Sequence, residues 1–145
     1  ITCHKMTTGV EIIRQCPDVT AFIAGSGTGG TLMGVNEMLN IARKDTKIIQ
    51  VQPEESNALH GIQGINDGDD FLLDKSIVDE TIFIKTKEAI ARAKRLAKEN
   101  GLLVGISAGA NVLAAEQWVE ENNPEHPVVT ILCDRGERYF SCYED

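Results

Sequence analysis

Val19-Thr20-Ala21-Phe22-Ile23-Ala24-Gly25-Ser26-Gly27-Thr28-Gly29-Gly30-Thr31 is the stretch that decides how this chain folds. Its first half is a short, continuous, partly β-branched apolar run, the pattern of a parallel strand buried on both faces. It stops abruptly at Gly25. Four glycines and two threonines follow, and then Leu32, Val35, Leu39 and Ile41 recur at helical spacing, giving an amphipathic helix that runs out near Lys44. The segment therefore reads as strand, glycine turn, helix.

The same alternation continues outward in both directions. Thr7 to Gln15 carries Val10, Ile12 and Ile13 at helical spacing, with Pro17 as a stop. Lys47 to Val51 is a strand closed by Pro53, and Thr81 to Ile84 is another. Between them, Glu54 to Asp74 is rich in glycine and acid and has no clear period. Lys87 to Asn100 is a strong helix, with Ile90, Ala93, Leu96 and Ala97 on its inner face and Gly101 at its end. Ala108 to Glu121 offers Val112, Leu113, Ala115 and Trp118 for packing. Val128 to Leu132 is the last buried strand, leading into Cys133-Asp134-Arg135-Gly136. Regular alternation of strand and helix predicts an α/β fold, a mainly parallel sheet flanked by helices in three αβα layers. In such sheets ligands sit beyond the carboxyl ends of the strands. The loops after Ala24, Val51, Ile106 and Leu132 all belong to that edge.

At 145 residues the chain suits one domain, residues 1–145, with 42% apolar and 25% charged residues. A net charge of −8 disfavours nucleic-acid and anionic-membrane partners, whose phosphates it repels. No run approaches the roughly 20 apolar residues of a membrane span. Cys3, Cys16, Cys133 and Cys142 form no C-x-x-C pair and have no histidine at metal-ligand spacing, so neither a metal site nor a disulfide scaffold is expected. This usage fits a reducing, cytoplasmic setting. His4, His60 and His126 are scattered and read as surface or loop residues. The lysines and arginines between Lys85 and Lys98 are interleaved with Glu88 and Glu99, a solvated face. The start at Ile1 reads as an internal position of a longer protein.

The turn from Gly25 to Thr31 has the makings of a phosphate cradle. Glycine lets backbone N–H groups approach an anion, the following helix contributes its positive end, and Thr28 and Thr31 supply hydroxyls. The alternative is a turn needed only for tight strand-to-helix packing. Gly25, Gly27 and Gly30 also satisfy G-x-G-x-x-G, with Gln52 and Glu54 near the place of a ribose-binding acid, so a dinucleotide stays open at this point. The G-K-[ST] ending of a nucleoside-triphosphate loop is absent.

Two further segments narrow the choice. Gly105-Ile106-Ser107-Ala108-Gly109-Ala110-Asn111 puts a serine on a glycine-flanked turn, and Gly136-Glu137-Arg138-Tyr139 follows the last strand. With T-T-G-x-E-I at Thr7 to Ile12, G-x-G-T-G-G-T-L at Gly25 to Leu32 and I-Q-G-I at Ile62 to Ile65, the chain resembles the C-terminal half of the cysteine synthase (O-acetylserine sulfhydrylase) family. These are fold type II pyridoxal-phosphate enzymes. The segments occur in family order and cover essentially the whole chain. Gln52-Pro53-Glu54-Glu55 and Cys133-Asp134-Arg135-Gly136 look closer to the B-type branch. His60 to Gly68 departs from the family pattern, with Asn66 in place of a glycine and Asp69-Asp70 where an apolar residue is usual.

The resemblance implies that Gly27, Thr28, Gly29, Gly30 and Thr31 hold the phosphate of pyridoxal 5′-phosphate and that Ser107 faces its ring nitrogen. A hydroxyl there is a weaker partner than a carboxylate, which suits β-elimination of a good leaving group. Taken by itself, Ser107 is equally an N-cap for a helix beginning at Ala108. The family's Schiff-base lysine lies in an N-terminal S-x-K-D-R motif that this sequence lacks, so no catalytic residue is assigned to it. The chain is then the larger part of the cofactor domain, the lysine-bearing portion being absent, and is expected to be inactive alone. The intact protein is expected to convert an activated serine and a sulfide donor to L-cysteine, as a homodimer. Cystathionine β-synthase chemistry and a non-enzymatic α/β partner protein are the alternatives.

Overall fold

The computed structural model describes residues 1–42, 45–55 and 72–144. Four strands, β1 (Ala21–Gly25), β2 (Lys47–Pro53), β3 (Glu80–Ile84) and β4 (Val128–Thr130), form one parallel sheet in the order β3-β2-β1-β4. Register sets Ala21 beside Lys47 and Val128, and Gly25 beside Val51. The segments after β1, β2 and β4 therefore leave from one edge, whereas Ile106 begins a helix and ends no strand, so the loop expected after it is not found. The expected α/β architecture is the one observed.

Alternate residues of the strands feed two separate cores. Ala21, Ile23, Ile49, Val51 and Ile84 face α5 (Ile106–Asn122) and α4 (Thr86–Asn100), packing on Ala89, Ile106, Ala110, Ala114 and Trp118. Phe22, Ala24 and Ile48 face the other way, onto Leu32, Val35 and Leu39 of α3 (Gly30–Ile41) and Ile12 of α2 (Val10–Gln15). Helices thus cover both faces, and three layers result. Phe22 and Ile23, neighbours on opposite faces, are both fully buried. Burial of each such side chain stabilises the fold by about 1.5–3 kcal/mol.

Helix ends follow local chemistry. Gly101 closes α4 in the left-handed conformation at φ 68°, and its neighbour Leu102 donates its N–H to the Leu96 carbonyl at 3.1 Å. The amino end of α4 is met by the Glu55 carboxylate, which accepts from Thr86 N–H at 3.1 Å and Thr86 Oγ1 at 3.0 Å. Those hydrogen bonds, the backbone one foremost, hold the Glu55 carboxyl below the usual carboxylate range. Asn123 ends α5 at φ 43°, a left-handed position that asparagine tolerates. The N-terminal helix is longer than its apolar spacing suggests. Helical turns begin with α1 (Thr2–His4), continue through a π-type segment, Lys5–Gly9, and run into α2.

Several sequence expectations shift by a turn or less. The last strand ends at Thr130 rather than Leu132. α5 starts at Ile106 with Gly105 as its N-cap, so Ser107 lies inside the first turn and makes no cap. Ile41, read as part of an apolar stripe, is 62% exposed. The expected end of that helix near Lys44 lies outside the described residues, as does the His60 to Gly68 segment. Val112, Leu113 and Ala115 only flank the core. Trp118 is buried as expected, together with Ile106, Ala108, Gly109, Ala110, Asn111 and Ala114. Small residues are required there because α5 is pressed between the sheet and α4.

Gly109 marks the tightest point of that contact. A Cβ on it would run into the main-chain oxygen of Ala89 and come within 2.9 Å of Ala93 N. Backbone on a neighbouring helix cannot yield as a side-chain tip can. Gly109→Val is expected to lower unfolding stability by about 2–3 kcal/mol, the usual range for an overpacked core site. Urea denaturation followed by circular dichroism measures it.

Candidate active site

The glycine turn lies between β1 and α3 at the carboxyl edge. Gly29, at φ 84°, is the residue that needs to be glycine on conformational grounds, and its Cα is packed against Leu73. Leu72 N–H donates to the Thr28 carbonyl at 2.9 Å, clamping the turn from outside. Inside, the buried Ser26 hydroxyl accepts from Gln50 Nε2 at 2.6 Å, and Gln50 Oε1 accepts from Thr81 at 3.3 Å. One end of the turn is thereby pinned to the middle of the sheet.

Its outer rim is different. Gly27 and Thr28 are exposed, and a Cβ on Gly27 would meet nothing within 4 Å. Among the described residues, the backbone N–H groups of Gly27, Thr28 and Gly29 have no hydrogen-bond acceptor. Gly30 N–H reaches Thr28 Oγ1 at 3.4 Å. Unpaired donors at the start of a twelve-residue helix, with open space before them, suit a phosphate group.

Thr31 brings in a residue the sequence reading had set aside. Its hydroxyl shares a hydrogen bond with His4 Nε2 at 3.3 Å, while His4 Nδ1 shares one with Thr8 Oγ1 at 3.1 Å. His4 is half-buried, not a free surface group. Nothing in its local sequence marks it, because the partners are brought together by the packing of the N-terminal helix on α3. Glycine sits on both sides of that contact. A Cβ on Gly9 would lie 2.7 Å from Met38 Cβ, and one on Gly34 would lie 2.6 Å from the Ile1 carbonyl.

Ser107 is half-buried in the first turn of α5. Its hydroxyl donates to Asp134 Oδ1 at 3.5 Å, and Asp134 Oδ2 accepts from Tyr139 OH at 2.6 Å. That second bond, with burial, raises the Tyr139 phenol above its ordinary pKa. One turn along from Ser107 is Asn111, fully buried. Its Oδ1 accepts from Gly25 N–H at 2.8 Å; its Nδ2 donates to the Ile131 carbonyl at 2.9 Å and toward Cys133 Sγ at 3.3 Å. A single carboxamide therefore joins the head of the glycine turn, the serine helix and the loop after β4. Sequence reasoning quoted Asn111 without giving it a role. A polar residue one turn after Ser107, in a run of small apolar ones, was the available signal.

Comparison with known proteins places the chain in a family. Residues 1–134 match the family described as "Pyridoxal-phosphate dependent enzyme". The chain belongs to that family. It is 41% identical over 149 residues to cysteine synthase B of Campylobacter jejuni, covering 95% of this chain and 48% of that protein. Among solved structures, O-acetylserine sulfhydrylase isoform 3 of Entamoeba histolytica superposes with a TM-score of 0.83 at 36% identity, over 97% of this chain and 44% of the other. The O-acetylserine dependent cystathionine beta-synthase of Helicobacter pylori does so with a TM-score of 0.78 at 32% identity, over 97% and 48%. The chain spans about half the length of the curated relatives it matches. The family's cofactor is pyridoxal phosphate, which removes the dinucleotide reading of the glycine turn. Among the described residues no group of histidine, cysteine and carboxylate side chains is arranged to hold a metal ion, and all four cysteines are free thiols.

Asn111→Leu removes the bridge while keeping its approximate volume, leaving Gly25 N–H and the Ile131 carbonyl without their side-chain partner. A cost of about 2–6 kcal/mol is expected, from roughly 1–3 kcal/mol for each of the two stranded groups. Thermal or urea unfolding of the variant beside the parent measures it.

Proposed function

We propose that this chain is the phosphate- and ring-nitrogen-binding part of a pyridoxal-phosphate enzyme that makes L-cysteine by β-replacement. An activated serine such as O-acetylserine loses its β-substituent as acetate, and sulfide takes its place: a C–O bond breaks and a C–S bond forms. The observation that carries this reading is the row of N–H groups at Gly27, Thr28 and Gly29, without an acceptor among the described residues and exposed at Gly27 and Thr28, tied through Asn111 to the helix bearing Ser107. The names of the relatives support the same chemistry at the level of the family.

When bound, pyridoxal phosphate supplies an aldehyde for the substrate amine and a ring that draws electron density from the substrate's α-carbon. Gly27, Thr28, Gly29, Gly30 and Thr31 hold its phosphate, with backbone N–H groups, two hydroxyls and the positive end of α3 all directed at the same charge. Ser107 meets the ring nitrogen. Asn111 keeps those two stations at a fixed separation, so that one rigid molecule can span both. His4 orients the Thr31 hydroxyl. The Schiff-base lysine and the remaining substrate contacts belong to the half of the enzyme that the relatives have beyond this chain. Alone, the chain binds the cofactor reversibly and turns over nothing. The exposed Leu102, Leu103, Leu132 and Phe140 side chains support a further interface, and with it the homodimer. Free thiols support a reducing, cytoplasmic setting.

Gly27→Asp tests the cradle, because it puts a Cβ and a negative charge into the open space. At ~5 Å and an effective dielectric of ~20, like charges repel by roughly 3 kcal/mol, or about 100-fold in affinity. Titration of the chain with pyridoxal phosphate, read by absorbance, is expected to saturate for the parent, to be competed by inorganic phosphate and to weaken by about that factor in the variant. Borohydride is expected to leave no adduct on one specific lysine. Saturable binding of a nicotinamide dinucleotide with none of pyridoxal phosphate would overturn the proposal.

A further inference from the structure

The charged side of α4, read from the sequence as a solvated face, is not paired as its spacing favours. Glu88 and Arg92 stand one turn apart with the acid on the N-terminal side, the order in which an i, i+4 ion pair forms readily. No bond joins them. Arg92 turns to α5 instead and grips Glu116, Nε to Oε2 at 2.9 Å and Nη2 to Oε1 at 2.5 Å. Among the described residues Glu88 has no ion-pair or hydrogen-bond partner, and Nη1 of Arg92, closed to solvent, has no acceptor. A guanidinium carries five N–H donors, and a buried charged donor left without an acceptor costs more than a neutral one.

Both residues line a groove of about 360 Å³ between α4 and α5, together with Ala91, Arg95, Leu113 and Gln117. That is the size of a small-molecule site. Arg95, exposed and bonded to Glu99 at 3.3 Å, adds positive charge at the rim, and the Gln117 amide has no partner among the described residues. Ala91 and Leu113 supply apolar surface. A simple anion would satisfy Arg92 but be repelled by Glu88, and a simple cation would meet the reverse. A free amino acid carries both charges on one carbon, with a side chain left over for the apolar surface. We propose that this groove binds a free α-amino acid with a medium-sized apolar side chain, its carboxylate taken by Arg92 and Gln117 and its ammonium group by Glu88. Gln117 stands ten residues beyond Ser107 on α5, about 15 Å along the axis, so an occupant of the groove leaves Ser107 and the glycine turn uncovered.

The test is calorimetric titration of the full-length protein carrying this chain, loaded with pyridoxal phosphate, using L-leucine as the probe. Two relatives of leucine serve beside it: 4-methylpentanoate, which lacks the ammonium group, and 3-methylbutylamine, which lacks the carboxylate. Leucine is expected to bind saturably and each of the others at least about tenfold more weakly, the size of one charge interaction lost near a surface. Glu88→Gln is expected to weaken leucine by about the same factor. Ala91→Phe, which fills the groove from an exposed helix position, is expected to abolish its binding. Circular dichroism checks that both variants fold. The absence of saturable leucine binding overturns the proposal, as does 4-methylpentanoate that binds as tightly as leucine, or unchanged leucine affinity in a folded variant. Leucine that binds only at the cofactor, shifting its absorbance band and surviving both groove variants, overturns it too.

Discussion

The arrangement depends on one buried carboxamide. Asn111 makes three contacts from a position with no solvent access, and each is to a different part of the carboxyl edge of the sheet: the first residue of the glycine turn, the chain just past β4, and the cysteine beyond it. An unpaired amide at that depth would cost more than most single packing contacts supply. Because every polar atom of the Asn111 side chain is partnered, burial turns it into a rigid strut. β1 and β4 are already neighbours in the sheet, but hydrogen bonding between strands ends at Ile23 and Thr130. Beyond that point the side chain of Asn111 continues the connection.

A second polar group plays the equivalent part on the other side of β1. Gln50 lies in the centre of β2, almost fully buried, and links Ser26 to Thr81. Together the two amides fix the start of the glycine turn, one from β2 and one from α5. Its rim, at Gly27 and Thr28, is left exposed. A rigid base with an open rim is what an anion site needs, since donors fixed before binding lose little freedom when the anion arrives.

The fold was legible in the sequence because strand burial and glycine placement are local signals. Val19 to Ala24 is continuous and apolar because both faces of β1 are covered, and Gly101 ends α4 where its left-handed geometry predicts. The glycine turn was legible at Gly27 to Thr31 for the same reason: the pattern and the turn it forms lie in adjacent residues. What the sequence hid was tertiary. His4 reaches Thr31 across 27 positions, and Asn111 reaches Gly25 across 86. Of the two roles open to Ser107 in the sequence, the helix cap is not taken, because Gly105 and Ile106 already belong to the start of the helix. Gly105 takes the cap position, with its own N–H bonded to the Asp134 carbonyl and its missing Cβ making space for the Asp134 carboxylate. In α5 the packing role of Trp118 was legible and that of Ala108, Ala110 and Ala114 was not, because large apolar residues attract notice, whereas a helix wedged between two layers is buried largely through its small ones.

Trp118 is the one tryptophan of the chain, and it is 5% exposed at the seam where α5 meets β3. Its indole N–H is committed to Glu80 Oε2 at 3.1 Å, on the first residue of that strand. The ring therefore senses two separate elements at once, one through apolar contact and one through a polar tether. Excited at wavelengths that tyrosine does not absorb, the chain emits from this one ring, whose colour registers water entering that seam. Separation of helix from strand at the amino edge can be followed optically, without attaching a dye and without disturbing the opposite edge where the glycine turn lies.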